Sequence, residues 1–263
     1  MVLFLFLSHL GIGIVFSLLV VSREAGVKFF RFNAGLAAIL IAIGFAFRPD
    51  EATTGADQVA FAALVAGEAT LVLYWATIGR VLAAIRPAIL GTACAGGFVA
   101  LVAQAVAIAA PWGATLLVLT IVSFLTSAAF LGGACTAMVL GHWYLVIPSM
   151  QVSHLQSIVK VHIASMVVRV AVVAVAVGVG LAAAAPDVGP TFERYIFSVS
   201  GVFFWQRVLF GLAGPAVLSY LTWETAKIRS TQSATGILYV DVFTVVVGEV
   251  LAKYLLLATR VPL

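Results

Sequence analysis

Long runs of apolar residues, separated by short polar segments, follow one another from the beginning of the chain to its end. A helix needs about 20 mainly apolar residues to cross the hydrocarbon core of a bilayer. Because the runs are continuously apolar and do not alternate with a period of two, they indicate helices and not strands. They predict eight transmembrane helices, at residues 2–21, 33–48, 61–79, 88–110, 114–141, 162–185, 196–221 and 234–257.

The composition agrees with a membrane location. The chain is 63% hydrophobic and 9% charged, whereas soluble domains carry about 25% charged residues. With 14 Lys and Arg and 10 Asp and Glu in 263 residues, it lacks the groups to build a charged, water-facing exterior. We therefore expect an all-α polytopic helical bundle that forms a single transmembrane domain over residues 1–263, with the lipid bilayer as its solvent.

The basic residues of the loops predict the orientation of this bundle. Positively charged loops remain on the cytoplasmic side of a membrane. The predicted topology places eight on one side, Arg23, Lys28, Arg31, Arg80, Arg86, Lys160, Lys227 and Arg229, and four on the other, Arg48, Arg194, Lys253 and Arg260. Both termini are therefore expected outside, in a multi-pass protein of a bacterial inner (cell) membrane. The basic residues form no single stripe, so nucleic acid is not an expected partner.

Five ionisable residues within the predicted helices are the candidate sites for a proton, an ion or a substrate. A charge at the centre of a membrane helix costs about 2.5–3.5 kcal/mol on insertion scales, so such residues face the bundle interior and often mark function. The alternative for each is a structural ion pair that fixes the register of two helices. The five are Glu68, Arg169, Arg207, Asp241 and Glu249.

Helical spacing suggests partners for some of these charges. With a helical rise of about 1.5 Å per residue, Arg207 and Asp241 lie at comparable depths in the membrane. This predicts a pair between the last two helices. Glu249 precedes Lys253 by one turn, which predicts a local pair close to the outer interface, where Lys253 can reach water. Glu68 has no partner on its own helix and is the leading candidate for proton handling.

Two histidines define a candidate cofactor site. His142 closes the fifth predicted helix and His162 opens the sixth, so a hairpin could bring both imidazoles to one depth and hold a haem b or a quinone. Arg169 lies two turns beyond His162 on the same helical face. The alternative for the histidines is an ordinary interfacial position beside Trp143, and for Arg169 a side chain that reaches the headgroups.

Two local features complete the pattern. Residues 148–160 predict a short helix lying at the membrane interface, because its apolar residues fall on one loosely apolar face with polar residues between them. Gly214 and Pro215 predict a kink in the seventh helix that frees backbone carbonyls inside the bundle. Cys94 and Cys135 lie in apolar runs without metal-binding spacing, and no catalytic, nucleotide-binding or metal motif occurs in the sequence.

These residues favour a membrane subunit of a respiratory or photosynthetic electron-transfer complex, which contributes a quinone site, a haem b site or a proton path. Other membrane subunits are then expected partners, because the chain has little mass outside the membrane. The buried charges equally suit an alternative, a small proton-coupled transporter or channel. A third hypothesis is a structural scaffold subunit whose polar residues only hold helices together.

Overall fold

The computed structural model of the protein describes residues 1–49, 54–146, 151–182 and 191–263. Within these ranges the secondary structure is helical and includes no strand. The α-helices are α1 (Val2–Leu18), α2 (Gly26–Phe45), α3 (Gly55–Thr77), α4 (Arg86–Ala109), α5 (Ala114–Val146), α6 (Val152–Ala182), α7 (Phe192–Ile196), α8 (Val202–Val208), α9 (Gly214–Lys227) and α10 (Thr231–Thr259).

The described residues contain seven helical segments that are long and apolar enough to cross a membrane. Six are α2 to α6 and α10, and the seventh runs from Val199 to Lys227 through α8 and α9. The remaining predicted span, α1, is a shorter apolar helix of 17 residues, near the lower limit for crossing a bilayer. The all-α polytopic bundle is therefore confirmed, and the protein is a multi-pass integral membrane protein.

α1 lies in the middle of the bundle and is buried along most of its length. It packs between α2 and α5 and also contacts α4 and α10. Large apolar side chains on the outer helices point away from the bundle instead, among them Ile39, Val118, Val217 and Phe243, each at least 59% exposed. Such an outward apolar surface is favourable in lipid, where it meets hydrocarbon and not water.

Glycines allow α1 to approach α5 closely. A Cβ atom added at Gly13 would lie 1.9 Å from the carbonyl oxygen of Ala128, and one added at Gly132 would lie 2.0 Å from the carbonyl oxygen of Gly13. Both obstructing groups are backbone atoms, so they cannot rotate away as a side chain would. Small residues serve the same purpose at many crossings of membrane helices, where close packing drives association.

The start of α6 corrects the predicted interfacial helix. Residues from Val152 onward form the first turns of α6 itself, so the separate interfacial helix predicted over residues 148–160 is wrong, and residues 148–150 lie outside the described part of the chain. No Gly or Pro interrupts residues 152–177, and the helix continues inward because nothing stops it. The predicted end of this helix, residues 183–185, also lies outside the described residues.

The break predicted at Gly214 and Pro215 is present as a π-helical turn, Leu209–Ala213, between α8 and α9. Pro215 has no N–H to offer the carbonyl of Gly211 four residues earlier. The Nη1 of Arg207 donates a hydrogen bond of 2.9 Å to that carbonyl oxygen. An arginine side chain therefore satisfies a backbone group that the proline leaves open inside the membrane.

Replacing Gly132 by Ala tests the crossing of α1 and α5. The new methyl group must push α1 away from α5, and overpacking of this kind costs about 1–3 kcal/mol. We expect a lower melting temperature in detergent, followed by fluorescence-detected size-exclusion chromatography. Gly91→Ala is the matched control, because no atom lies within 4 Å of a Cβ at that position in α4; equal melting temperatures for the two variants would contradict the prediction.

Candidate functional site

Glu249 of α10 lies at the centre of a group of buried charges. Its Oε1 accepts hydrogen bonds from Nε of Arg169 at 2.9 Å and from Nη2 of Arg207 at 2.8 Å, while Oε2 accepts from Nη2 of Arg169 at 3.0 Å. All three side chains are fully buried. One carboxylate therefore joins α6, α8 and α10 through charge-assisted hydrogen bonds, the strongest that protein groups make.

A serine and a lysine complete this group, which we call the Glu249 cluster: Glu249, Arg169, Arg207, Ser127 and Lys253. The hydroxyl of Ser127 on α5 donates to Oε2 of Glu249 at 2.5 Å and accepts from Nζ of Lys253 at 2.8 Å. Lys253 is 2% exposed, and its Nζ lies 3.9 Å from the same carboxylate oxygen. The serine hydroxyl thus connects a cation to an anion by two hydrogen bonds.

Further hydrogen bonds hold Arg169 in place. Its Nη1 donates to Oγ of Ser123 at 2.8 Å, and its Nη2 donates to the main-chain oxygen of Leu263 at 2.8 Å. The planar guanidinium offers donors in a fixed fork, and here the fork contacts α5, α10 and residue 263 together. Arg169 does not extend toward the headgroups, the alternative that its sequence position allowed.

Two facing glycines let Arg207 reach the cluster. A Cβ atom at Gly248 would lie 2.1 Å from Cα of Gly211 and 3.0 Å from Nη1 of Arg207. The π turn and α10 therefore touch backbone to backbone, and the guanidinium lies across the point of contact. This crossing sets Arg207 opposite Glu249.

A second buried pair lies along the same two helices. Nε2 of His162 on α6 and Oδ2 of Asp241 on α10 are 2.7 Å apart, and both side chains are fully buried. The imidazole stacks on Phe130 with a centroid distance of 5.4 Å. The other polar atoms of the pair, Nδ1 of His162 and Oδ1 of Asp241, have no hydrogen-bond partner among the described residues.

The two sites follow one another along the bundle. Seven residues separate His162 from Arg169 on α6, and eight separate Asp241 from Glu249 on α10, distances of about 10–12 Å along a helix. Because these two spacings are similar, the His162–Asp241 pair and the Glu249 cluster lie one after the other between α6 and α10. Each site contains a carboxylate and at least one partner that can carry positive charge.

Beyond Lys253 the buried polar groups extend to α1 and α4. Nζ of Lys253 lies 4.9 Å above the ring of Phe124, and the ring of His9 meets the same phenyl group edge-on at 4.5 Å. Nε2 of His9 lies 3.2 Å from Oε1 of Gln104. Their contact joins α1 to α4, which the sequence alone does not show.

The predicted pair of Arg207 with Asp241 is wrong, since Arg207 binds Glu249 and Asp241 binds His162. The depth estimate assumed two regular helices. The contact of Gly211 with Gly248 instead places Arg207 opposite a point about two turns beyond Asp241 on α10. The expectation that Lys253 reaches water is also wrong, because its side chain points inward to Ser127. Its predicted contact with Glu249 is present at 3.9 Å.

The structure does not bring His142 and His162 together. His162 lies against Gly133, whose added Cβ would be 3.5 Å from the Cα of His162; Gly133 is nine residues, about 13 Å, before His142 on α5. His142 is exposed, with its Nδ1 3.0 Å from the hydroxyl of Tyr239. The prediction that these two histidines hold a haem b or a quinone between them is therefore wrong. α6 begins ten residues before His162, so His162 lies deep in the bundle and not at the end of the helix.

Glu68 stands apart from both buried sites. It lies on α3, half-buried beside a small cavity whose walls include Ile12, Gly67 and Gly97. Its Oε2 is buried without a hydrogen-bond partner among the described residues. The sequence-based expectation of a carboxyl group without a local partner agrees with this position, but Glu68 joins neither the Glu249 cluster nor the His162–Asp241 pair.

Sequence reasoning missed Ser127. A serine in a membrane helix usually bonds to the carbonyl three or four residues earlier, and nothing in the sequence shows that Ser127 donates to Glu249 instead. The available signal is its spacing from Ser123, one turn earlier on the same face of α5. Both serines contact the cluster, Ser123 through Arg169 and Ser127 through Glu249.

Glu249→Gln tests the central role of this carboxylate. The amide keeps the shape but leaves three buried cations without their shared anion, a loss of about 3–5 kcal/mol for a broken buried pair. We expect strongly reduced thermal stability in detergent. Glu224→Gln is the control, since Glu224 pairs with Lys227 at a position where both side chains are more than 40% exposed, and such pairs contribute about 0–1 kcal/mol. Similar losses for both variants would refute the prediction.

Glu68 is expected to react selectively with a hydrophobic carbodiimide that enters from the lipid. Its carboxyl group is half-buried and unpaired, whereas Glu249 and Asp241 are fully buried and hydrogen-bonded. Mass spectrometry of the labelled protein should locate the adduct on Glu68, and Glu68→Gln should abolish it. Preferential labelling of Glu249 or Asp241 would contradict the prediction.

Comparison with known proteins adds no assignment to this geometry. No protein-family model matches the chain, and comparison with curated proteins finds no significant match. The function is therefore argued from the chemistry of the buried side chains.

Proposed function

We propose that the protein transfers protons through the membrane interior as a subunit of an electron-transfer complex. The observation that carries the proposal is the succession of the His162–Asp241 pair and the Glu249 cluster along α6 and α10. Buried chains of Asp, Glu and His in membrane proteins mark proton pathways, because each group can hold a proton away from water.

Incomplete hydrogen bonding at the His162–Asp241 pair supports a role in transfer. A purely structural pair would use all of its polar atoms, since an unsatisfied buried group costs free energy. Nδ1 of His162 and Oδ1 of Asp241 are instead unpartnered. These two atoms provide the positions at which a proton can enter or leave the pair without breaking the hydrogen bond that orients it.

Ser127 connects Lys253 to the carboxylate inside the Glu249 cluster. Its hydroxyl accepts a hydrogen bond from Nζ of Lys253 and donates one to Oε2 of Glu249. Arg169 and Arg207 bind the same carboxylate and hold it as the anion, so Lys253 is the group of the cluster that can release a proton and take it up again. Lys253 is the cation able to take part, because arginine keeps its proton under physiological conditions. Transfer over the roughly 12 Å from Asp241 to Glu249 requires water molecules or a side-chain movement.

The small mass outside the membrane supports membership of a larger assembly. A chain built almost entirely of membrane helices offers little surface to a soluble redox protein, so other membrane subunits would supply it. A groove of about 430 Å³ between α6 and α9 opens at the bundle surface beside Lys160, Ser219 and Trp223. Its volume is within the range of small-molecule sites, and a membrane-soluble quinone could enter it from the lipid.

The same proposal includes the location of the protein. The excess of Lys and Arg in alternate loops supports a bacterial inner membrane with both termini outside. Lipid and partner membrane subunits are then its contacts, and nucleic acid is not among them.

A small proton-coupled transporter is the second candidate. The observation in its favour is the π turn at Leu209–Ala213, followed directly by Gly214 and Pro215. Broken helices of this kind occur at the binding sites of transporters, and Arg207 here contacts the break and Glu249 together. A scaffold is the third hypothesis, in which the same charges only fix the helices.

Proton flux in reconstituted vesicles tests these hypotheses. Asp241→Asn and His162→Gln each remove a titratable group, so we expect them to lower the rate of internal pH change at least about tenfold, as is typical for lost proton-transfer groups. Glu224→Gln and His154→Gln are the matched controls. Both residues lie near the ends of helices, Glu224 in an exposed pair and His154 beside the exposed carboxylate of Glu24. Only variants with the wild-type elution profile are compared.

The preparation itself separates the candidates. Flux by the isolated chain supports the transporter, whereas flux that requires copurified subunits and a reduced quinone supports the electron-transfer complex. A visible reduced-minus-oxidised spectrum of the same sample reports whether a haem accompanies it. Equal flux in the Asp241 and His162 variants and in their controls would refute proton transfer and favour the scaffold.

A further inference from the structure

A separate cavity lies where α1 and α3 end and α2 and α4 begin. It has a volume of about 290 Å³, close to the lower end of the range for small-molecule sites, about 300–1,000 Å³. Its apolar wall includes the buried side chains of Leu18, Phe30, Ile78 and Leu90. None of the residues of the His162–Asp241 pair or the Glu249 cluster lines it.

The polar wall of this cavity consists of two arginines and a tyrosine. Tyr74 is 5% exposed, and no hydrogen bond to its hydroxyl occurs among the described residues, although the side chain lines the cavity. Nε and Nη2 of Arg86 donate to the carbonyl oxygen of Val81 at 3.3 and 3.0 Å. These bonds hold the guanidinium at the cavity, and its Nη1 has no hydrogen-bond partner in the described part of the chain.

Charge at this end of the bundle favours an anion. The side chain of Arg23 forms no ion pair within the described ranges and also lines the cavity. The nearest acidic residue along the chain, Glu24, has its carboxylate 2.6 Å from Nε2 of His154. Two guanidinium groups and a phenol therefore surround the cavity, and no Asp or Glu occurs among its described lining residues, an arrangement suited to phosphate.

We propose that this cavity binds the phosphate group of an anionic phospholipid. Arg23, Arg86 and the hydroxyl of Tyr74 contact the phosphate, and the first carbons of the lipid chains lie on Phe30 and Leu90. The location agrees with this ligand, because helix ends are at the level of the headgroups. The adjoining segments carry further cations, Lys28, Arg31 and Arg80, which attract anionic lipid to this face.

Native mass spectrometry of the full chain in detergent, with added phosphatidylglycerol or phosphatidylcholine, tests the proposal. We expect retained phosphatidylglycerol on the wild type, and binding about tenfold weaker or more in the double variant Arg23→Gln/Arg86→Gln, which loses two charge-assisted contacts. Lys28→Gln/Arg80→Gln is the matched control: it removes the same charge from the same end of the bundle, but neither residue lines the cavity. Tyr74→Phe should weaken binding by a smaller factor.

Inorganic phosphate distinguishes a lipid from a soluble ligand. If phosphate at millimolar concentration displaces the lipid, or binds alone with the same dependence on Arg23 and Arg86, the phosphate site stands but its source is a free anion. Equal retention of phosphatidylcholine and phosphatidylglycerol would overturn the proposal. So would equal losses in the two double variants, because general surface attraction would then explain the binding.

Discussion

The arrangement of the second half of the protein depends on the hydrogen bonds and ion pairs of one carboxylate, that of Glu249. It accepts hydrogen bonds from Arg169 and Arg207 and from the hydroxyl of Ser127, and so joins α5, α6, α8 and α10 at one point. In lipid a charge without a partner is costly, and each of these helices would lose its favourable position without the shared anion. Arg207 adds a second link, because it also satisfies the Gly211 carbonyl that Pro215 leaves open.

Close backbone contacts make this ionic arrangement possible. The π turn meets α10 at Gly211 and Gly248, and α5 meets α1 at Gly132 and Gly13. Without side chains at these crossings, the helix axes approach enough for arginine and serine to reach one carboxylate. Packing of small residues and pairing of charges are therefore not independent features here, since the first determines whether the second can form.

The two buried carboxylates differ in how completely they are hydrogen-bonded, and this difference suggests different roles. The carboxylate of Glu249 has several donors, and such a saturated group holds structure. The His162–Asp241 pair keeps one open atom on each partner, which is an unfavourable state for a site with only a structural purpose. Within the proposed proton route, the pair is therefore the part best able to change its protonation, and Glu249 with its two arginines is the part that holds the helices in register.

The amino-acid sequence alone was enough to predict the class of fold, the approximate positions of seven of the eight expected spans, and most of the buried charges. These follow from composition and run length, because lipid accepts only apolar, internally bonded segments. It also identified the break at Gly214 and Pro215, since the missing N–H of proline is a local property. The predicted interfacial helix failed because a sequence pattern does not show whether a helix stops or continues into the next span.

Which charges meet depends on how the helices pack against one another. Arg207 pairs with Glu249 and not with Asp241, and His162 lies opposite Asp241 and not beside His142. Depth along a helix can be counted from the sequence, but the rotation of each helix and the height at which it crosses its neighbour cannot. Those two quantities depend on contacts such as that of Gly211 with Gly248, which join residues far apart in the chain, and a displacement of one or two turns exchanges one partner for another.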